Sequence, residues 1–292
     1  MVAKSRQIVS LVTLLMAACE VDALNLADVP CGQRQILAAR FKVVGGREAY
    51  PGQYPWAASV QMNGRHVCGA SIVSSRYVVT ASHCLHGRPQ PSLSVVVGEH
   101  TLSKQESSEQ RLPVVRTFPH EKYRYPSFKN DIAVLELGGE IGWNQYRQPV
   151  CLPDVGQAPS HGTSATVAGW GWLGEHLKGG KQADVLQRVH VPLVAPATCS
   201  GWFSEAGRRV HIGRGQICAG FKAGGKDGCQ GDSGGPLVTD EGGHHTLVGV
   251  VSAGIGCARP NLPGIYTDVH LFTEWIVSKT RASRGGRGDR RS

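Results

Sequence analysis

The chain has 292 residues, of which 41% are hydrophobic and 18% are charged, and its formal net charge is +9. This composition excludes a disordered or fibrous chain and predicts one large globular domain, or two small ones, with a hydrophobic core. The positive charge suits polyanionic partners.

The first 23 residues predict a secretory signal peptide. Lys4 and Arg6 precede an apolar run at residues 8–18, and small residues follow it. Such a layout is typical of a signal peptide and not of a membrane-spanning helix. We place its end between residues 18 and 23. No later stretch approaches the roughly 18 apolar residues that a membrane span requires, so we expect a secreted, extracellular protein without a membrane span.

Short strands separated by turn residues are predicted from about residue 43 to residue 280. β-Branched residues and two-residue alternation indicate the strands, which are RHVCGASIV, RYVVTA, LSVVVGEH, DIAVLEL, DVLQRVHVPLV, HTLVGVVSAG and GIYTDV. One helix is predicted near the C-terminus, where Phe272, Trp275 and Ile276 share a face. Many short strands without intervening helices favour an antiparallel barrel or sandwich of the all-β class.

Nine cysteines are present, and Cys19 lies in or beside the signal region, which leaves eight. An even number of cysteines in a secreted chain predicts disulfides. Metal ligation is the alternative, but no C-x-x-C pair occurs to support it. Eight cysteines allow about a hundred pairings, so spacing alone does not choose among them.

Three motifs carry the residue types that nucleophilic acyl transfer requires. GDSGGP places Ser233 among glycines, which let backbone N–H groups approach a ligand. TASHC places His83 after a β-branched run, and NDIAVLEL places Asp131 at the head of an apolar strand, where a buried carboxylate needs a partner. Taken singly, the serine fits a tight turn and the histidine fits a structural role. Together they supply a nucleophile, a base and an acid that orients the base.

In this order, TASHC, NDIAVLEL and GDSGGP resemble the motifs of trypsin-like serine endopeptidases of the chymotrypsin fold, over about residues 43–279. The resemblance implies an all-β fold of two packed antiparallel six-stranded β-barrels with a C-terminal helix. It implies that Ser233 is the nucleophile, His83 the base and Asp131 the residue that orients it. It also implies that the backbone N–H groups of Gly231 and Ser233 form the oxyanion hole and that Ser252 supports the aspartate.

KVVGG, at residues 42–46, resembles the activation site of the same family. Cleavage between Lys42 and Val43 would free an α-amino group, which has a reference pKa of about 8 and is cationic at neutral pH. In the family the new terminus pairs with the carboxylate that matches Asp232, so the resemblance implies a zymogen. The alternative is a plain strand end. Because the cut follows lysine, we expect a trypsin-like activating protease, another copy of this enzyme included.

Asp227 matches the floor of the family's primary specificity pocket, and Gly254 and Gly264 match its walls. The resemblance therefore implies cleavage after arginine or lysine. Gly228 stands where trypsin has a serine, which removes a ligand for a lysine ammonium, so we expect arginine to be preferred because it can pair bidentately. Ala253 stands where many relatives have tryptophan, which predicts weaker or broader selection of the residues before the cut.

The resemblance further implies four disulfides and a domain order. The pairs are Cys31–Cys151, Cys68–Cys84, Cys199–Cys218 and Cys229–Cys257. Ala165 and Thr239 both lack sulfur at the positions of a further family bridge. We expect a short propeptide or light chain at residues 24–42, tethered by Cys31, a peptidase domain at 43–280, and a basic disordered tail at 281–292.

GEHTLSKQESSEQ, at residues 98–110, resembles the calcium loop of trypsin. Glu99, Glu106 and Glu109 would supply carboxylate oxygens, which calcium prefers, and the carbonyls of Thr101 and Lys104 would complete the shell. An acidic solvated loop is the alternative. We expect no required cofactor, and this structural calcium as the one metal to test.

The last twelve residues hold five arginines and one aspartate, which suits heparin-like polyanions. Arg287, Gly288 and Asp289 spell an integrin-recognised tripeptide, for which chance in an arginine-rich tail is the alternative. The other expected partners are protein substrates with Arg or Lys before the cut, the activating protease and protein inhibitors, but not nucleic acid. Two alternative functions stay open: a non-catalytic protease homologue, and a glycan- or matrix-binding protein that acts through the tail.

Overall fold

The computed structural model describes residues 24–36, 48–87, 92–173, 180–225 and 231–285. Within these ranges the regular elements are β1 (Ala57–Met62), β2 (Arg65–Ser74), β3 (Tyr77–Thr80), β4 (Leu93–Val97), β5 (Gln110–Pro119), β6 (Ala133–Leu137), β7 (Ser164–Gly169), β8 (Gln187–Val194), α1 (Pro196–Glu205), β9 (Gln216–Ala219), β10 (Pro236–Glu241), β11 (His244–Ala253), β12 (Gly264–Asp268) and α2 (Thr273–Gly285). Short 3-10 helices occupy Ser82–Cys84 and Val269–Leu271.

The strands close into two six-stranded barrels in which neighbouring strands pair antiparallel. The first barrel has the order β1-β2-β3-β6-β5-β4, and the second has β7-β8-β9-β12-β11-β10. The second barrel thus repeats the strand order of the first, although the sequence shows no internal repeat. The prediction of two six-stranded antiparallel barrels with a C-terminal helix is confirmed.

The main hydrophobic core continues from the first barrel into the contact between the barrels. Val60 and Val134 of the first barrel and Val238 and Val250 of the second belong to the same buried cluster. The interior of the second barrel holds a separate cluster around Tyr266. Side chains at the inter-barrel contact are therefore packed from both sides, and close packing holds them in defined positions.

Disulfides join Cys31 to Cys151, Cys68 to Cys84 and Cys199 to Cys218, as predicted. Cys257 is also disulfide-bonded, and its predicted partner, Cys229, lies outside the described residues. Ala165 and Thr239, the positions without sulfur, pair with each other across β7 and β10. This supports the predicted equivalence of the two positions to a missing bridge.

Helix α1, which the sequence analysis did not predict, is anchored by the buried side chains of Cys199 and Phe203. Helix α2 continues to Gly285, five residues into the segment for which a disordered tail is expected, and residues 286–292 lie outside the described part of the chain. Neither helix has the length and apolar character needed to cross a membrane, nor does any other described helix.

Candidate active site

The antiparallel pairing of β3 and β6 brings His83 and Asp131 together. Thr80 at the end of β3 pairs with Ala133 at the start of β6, so the segment that follows β3 lies beside the segment that precedes β6. There the Nδ1 atom of His83 lies 2.7 Å from Oδ2 of Asp131, and the His83 backbone N–H donates to Oδ1 at 2.9 Å. The sequence positions differ by 48 residues, but the sheet makes them neighbours.

Asp131 is fully buried between the barrels, and the second barrel also supplies it with donors. The Ser252 hydroxyl, on β11, donates to Oδ2 at 2.6 Å, and the Thr267 hydroxyl, on β12, donates to the Asp131 carbonyl at 2.7 Å. With the two His83 bonds, the carboxylate accepts three hydrogen bonds, which offset the cost of removing it from water. Ser252 thus stands where the resemblance placed the aspartate's support.

The tautomer of His83 follows from its partner. An ionised carboxylate only accepts hydrogen bonds, so Nδ1 carries the proton and Nε2 of the neutral ring keeps a free lone pair. The His83 side chain is 18% exposed and Asp131 is 0% exposed. The ring therefore has one buried, fixed edge and one edge that is open to a reactant.

Ser233 approaches this histidine through the segment that precedes β10. Its carbonyl accepts the Gly69 N–H at 2.8 Å, and the N–H of Gly234 donates to Val251, next to Ser252. The Sγ atom of Cys84, in the Cys68–Cys84 disulfide, lies 3.9 Å from His83 Nε2 and 3.7 Å from the Ser233 carbonyl oxygen. The backbone of Ser233 and the His83 ring therefore lie near the same sulfur atom.

Two glycines beside Ser233 have backbone conformations that other residues rarely adopt. Gly231 has φ +95° and Gly234 has φ +78°. A Cβ at Gly234 would overlap Thr80 Oγ1 and the Gly69 carbonyl. These constraints explain why the motif GDSGGP needs glycine where it has it.

His66 is a partly buried contact of this segment that was not predicted from the sequence. Its Nε2 lies 3.1 Å from the Gly231 carbonyl, and its Nδ1 lies 2.9 Å from the Ser59 hydroxyl. Burial lowers the pKa of His66, so the ring is neutral at neutral pH, with Nε2 donating to the carbonyl and Nδ1 accepting from Ser59. No pattern in RHVCG, apart from the histidine itself, indicates this contact.

Asp232 is buried and accepts the Gly171 N–H at 2.8 Å through Oδ1. A Cβ on either Gly169 or Gly171 would overlap its carboxylate. The loop after β7 therefore leaves space for a negatively charged side chain directly beside Ser233. Lys42 and Val43, the predicted activation residues, lie outside the described residues.

Comparison with known proteins matches these motifs and this fold to one family. A family model described as Trypsin matches residues 43–276. Trypsin-1 of Astacus astacus is 42% identical over 241 residues, which make up 80% of this chain and 98% of that protein. Serine protease 56 of Homo sapiens is 38% identical over 264 residues, 87% of this chain and 42% of that protein. Transmembrane protease serine 11C of Mus musculus is 38% identical over 257 residues, 88% of this chain and 58% of that protein.

This chain belongs to the trypsin family. The family resemblance that the three motifs indicated is thereby confirmed, as is the chymotrypsin-type fold. The chain spans nearly the whole length of the crustacean relative and about half the length of the two mammalian ones.

Of the specificity-pocket residues expected from the trypsin family, the structure describes the two walls. Gly254 directly follows β11 and Gly264 opens β12, so both lie next to the antiparallel pair of Ala253 and Ile265, at the same end of it. The nearest atom to a Cβ on Gly254 would be the Gly256 carbonyl oxygen at 3.6 Å, so the space beside this glycine is open. Asp227 and Gly228 lie outside the described residues, and their role stays a prediction.

The acidic cluster of the trypsin-like calcium loop is assembled in the structure. Glu99, Glu106 and Glu109 each place a carboxylate oxygen within 4.8 Å of the others. Burial, followed by repulsion from the other two carboxylates, raises the pKa of Glu99 to about 7, and its buried Oε1 has no hydrogen-bond partner. Hard carboxylate oxygens with one unsatisfied, buried member fit a calcium ion.

The two residues expected to add carbonyl ligands lie in the same loop. The Thr101 hydroxyl donates to Glu106 at 3.2 Å, and the Thr101 carbonyl accepts the Lys104 N–H at 2.9 Å. A carbonyl has two lone pairs, so the Thr101 oxygen keeps one for a cation. The loop backbone is thus already folded around the carboxylates.

Proposed function

We propose that this protein is a secreted serine endopeptidase, made as a zymogen that is activated by cleavage between Lys42 and Val43. It hydrolyses peptide bonds after arginine and, less well, after lysine. The observation that carries the proposal is the hydrogen-bonded array of Ser252, Asp131 and His83, with the backbone of Ser233 held beside the Cys84 sulfur, which also lies near His83 Nε2. Family membership alone would not suffice, because some relatives lack activity.

In the proposed mechanism the Ser233 hydroxyl attacks the scissile carbonyl carbon while His83 Nε2 takes its proton. His83 then gives this proton to the leaving amine, which departs as the acyl-enzyme forms. Water, activated by the same nitrogen, hydrolyses the ester and restores the serine. Asp131 fixes the tautomer of His83 and stabilises the positive charge on the ring, without taking the proton.

The developing negative charge on the substrate oxygen needs donors that are already in position. We assign this role to the backbone N–H groups of Gly231 and Ser233. The bond from His66 to the Gly231 carbonyl holds the peptide unit that joins Gly231 to Asp232, next to these donors. In serine proteases, loss of one such donor slows the reaction by about 10² to 10³.

Activation depends on Asp232 in this proposal. After cleavage, the α-amino group of Val43 would pair with the Asp232 carboxylate and order the segment that carries Gly231 and Ser233. Asp232 already lies in a buried site that accepts a carboxylate, which supports this assignment. Removing one partner of a buried ion pair costs about 3 to 5 kcal/mol, so the pair is strong enough to control a loop.

Substrate preference rests on Asp227 at the floor of the pocket and on the walls at Gly254 and Gly264, which have no side chains. A buried carboxylate attracts a cationic side chain, and arginine can engage it with two parallel hydrogen bonds. Gly228 offers no hydroxyl to a lysine ammonium, which has no fork geometry to compensate. Arginine is therefore preferred over lysine.

The test is to express the full chain, cleave it after Lys42 with a trypsin-like protease, and label it with a fluorophosphonate that modifies nucleophilic serines. We expect the label on Ser233 only after cleavage, and cleavage of a peptide library after arginine more than after lysine. Ser233→Ala is the matched control for both assays. A cleaved protein that neither takes the label nor hydrolyses peptides would be a non-catalytic homologue. A preference for aromatic residues before the cut would overturn the role of Asp227.

Two binding properties belong to the same proposal. Glu99, Glu106 and Glu109 bind a structural calcium ion, with carbonyls of Thr101 and Lys104, and catalysis does not require it. The arginine-rich C-terminal tail contributes to binding of heparin-like polyanions outside the cell.

A further inference from the structure

A second group of arginines lies far from the tail in the sequence, in the loop that follows α1. We call residues 207–215 the α1–β9 loop. Arg208, Arg209, His211 and Arg214 are exposed, whereas Val210 and Ile212 pack into the cluster around Phe203 and Cys199. Inward apolar residues thus hold the loop, and the basic residues point away from the protein.

The loop is fastened at several points, so its charges have defined positions. The Arg208 N–H donates to the Phe203 carbonyl at 2.8 Å, and the Ile212 N–H donates to the Ser200 hydroxyl at 3.3 Å. The Cys199–Cys218 disulfide closes the base of the same segment. A polyanion that binds here would order little backbone, which keeps the entropic cost of binding low.

The three guanidinium groups of this loop are not neutralised within the described part of the chain. No described carboxylate forms an ion pair with Arg208, Arg209 or Arg214. The acid that ends α1, Glu205, is already paired with Lys222 at 2.9 Å. Three unpaired cations on a short loop create a local positive potential that extends about 8 Å into solvent at physiological salt.

Helix α2 connects this loop to further basic residues. Gly215 packs on Phe272, where a Cβ would come within 3.3 Å of the ring, and the Phe272 ring contacts His120 with centroids 5.3 Å apart. Burial lowers the pKa of His120, Glu121 raises it, and Lys122 and Lys279 lower it, so all three charged residues lie near this ring, with Lys279 paired to Glu121. Exposed Arg281 follows on α2, and Glu274 is the acid in the first turn of the helix.

We propose that the α1–β9 loop, together with the basic end of α2, is a binding surface for a linear sulfated polysaccharide. Arginine suits sulfate because its planar fork donates two hydrogen bonds to one anionic group. Single-stranded nucleic acid is less suited, because its binding sites combine positive charge with exposed rings on which bases stack, and the α1–β9 loop has no aromatic residue apart from His211. The proposal moves part of the polyanion contact from the tail to the folded body and does not depend on peptidase activity.

The test compares retention on a heparin column and the salt dependence of heparin affinity for four full-length proteins. These are the wild type, R208A/R209A/R214A, a matched triple variant of exposed basic residues elsewhere on the surface (R65A/K104A/K181A), and a truncation before residue 286. Loss of three contacts between an arginine and an anionic group lowers the slope of log affinity against log salt by about three. We expect the α1–β9 loop variant to elute at clearly lower NaCl than the matched variant, and the truncated protein to retain the larger part of its affinity.

The proposed binding surface is contradicted if the two triple variants elute together, or if truncation alone abolishes retention. It is also wrong if a single-stranded oligonucleotide displaces the protein from heparin at lower charge concentration than a soluble sulfated polysaccharide does. Near-equal melting temperatures verify that the exposed substitutions leave the fold intact. Hydrolysis of a short arginyl peptide is measured on the same proteins after they have been cleaved behind Lys42. Normal retention without hydrolysis would contradict the proposed function and leave this surface supported. Normal hydrolysis without retention would contradict this surface and leave the proposed function supported.

Discussion

At the scale of single residues, the hydrogen bonds to Asp131 distinguish a residue that helps to position His83 from a residue that only stabilises the fold. The carboxylate is buried and accepts bonds from His83 and from Ser252. Thr267 bonds the carbonyl of the same residue and not its carboxylate. The two hydroxyls therefore come from neighbouring strands and touch the same residue, but only one touches the charge that orients His83.

We predict that Ser252→Ala lowers kcat by about 10- to 100-fold with little change in KM. A hydrogen bond to a charged group contributes about 1.5–3 kcal/mol, and each 1.4 kcal/mol is about tenfold in rate. The measurement is steady-state hydrolysis of an arginyl peptide across pH. Thr267→Val is the control. It should lower the free energy of unfolding, and it should change kcat less than Ser252→Ala does. Equal kcat losses in both variants would show that Ser252 acts only through the fold.

At the scale of elements, the loop between β4 and β5 gathers three carboxylates that repel one another. We predict that calcium raises the melting temperature of the protein and that EDTA reverses the effect. A ligand present at about 100 times its Kd stabilises the folded state by about 2.7 kcal/mol, which corresponds to several degrees in a protein of this size.

Two controls sharpen the calcium measurement. Glu109→Gln removes one of the three carboxylates and should abolish most of the shift. Magnesium should shift the melting temperature less, because it requires a tighter octahedral site. An unchanged melting temperature at millimolar calcium would leave the cluster as an acidic solvated loop.

Helix α2 is attached to the loop before β6 by Glu121. Its carboxylate accepts from Trp275 Nε1 at 2.9 Å and pairs with Lys279. The bond from Lys279 is the main cause that lowers the pKa of Glu121 to about 2. Because the folded pKa is below the unfolded one, the stabilisation is complete above about pH 5 and is lost as the pH falls towards 2.

We predict that Glu121→Gln lowers the free energy of unfolding by less than about 1 kcal/mol at pH 7, because the carboxylate is 58% exposed and solvent screens the pair. Glutamine keeps an acceptor for Trp275, so the substitution isolates the charge. Denaturant unfolding at pH 7 and at pH 2.5 measures the effect, which should shrink at the lower pH. An equal loss at both values would mean that the charge does not matter.

Seven of the strands and the last helix could be predicted from the sequence, because runs such as RYVVTA and DIAVLEL are rich in β-branched residues. Other strands lack that signal: β5 contains Pro113 and four charged or polar residues, and β10 mixes Pro236 with two acids. Helix α1 begins with Pro196 in a stretch without a clear apolar face. These elements are specified by their partners in the barrels, and local sequence carries little of that information.

The triad residues were predictable because each lies in a distinctive motif. His66 was not, because its partners, Ser59 and Gly231, are 7 and 165 residues away and meet it only after both barrels form. Only part of the basic charge could be recognised from the sequence. The tail arginines form a run, whereas the α1–β9 loop becomes a charged surface only when Val210 and Ile212 turn inward.

At the scale of the whole molecule, the segment at residues 24–36 binds both barrels. It is linked by the Cys31–Cys151 disulfide, by the Trp143 indole, which donates to Asp28 at 2.9 Å, and by Arg34, which lies over the Tyr54 ring at 4.8 Å. If the chain is cut after Lys42, this segment therefore stays attached through more than its disulfide. Its removal would uncover Tyr54 and the neighbouring core.

His245 of β11 is a buried histidine that contacts this segment. Its Nδ1 lies 2.9 Å from the Gly32 carbonyl, so Nδ1 carries the proton, and the Nε2 lone pair faces Asp240 Oδ2 at 3.2 Å. Burial first, and then the charge of Arg34, lowers the pKa of His245, although Asp240 acts in the opposite direction. Other histidines, His66, His100 and His120, are partly buried, and burial lowers their pKa values too.

We predict that the protein loses stability as the pH falls below about 6.5. In that range the unfolded histidines bind protons that the folded protein does not bind, so unfolding takes up protons and becomes easier as the pH falls. Melting temperatures between pH 7.5 and 5.5 measure the loss. His245→Gln keeps a donor for Gly32 and does not titrate, so its melting temperature should fall less over this range than that of the wild type, whereas exposed His244→Gln should follow the wild type. A fall in His245→Gln as steep as in the wild type would remove His245 from the set of histidines that cause the loss.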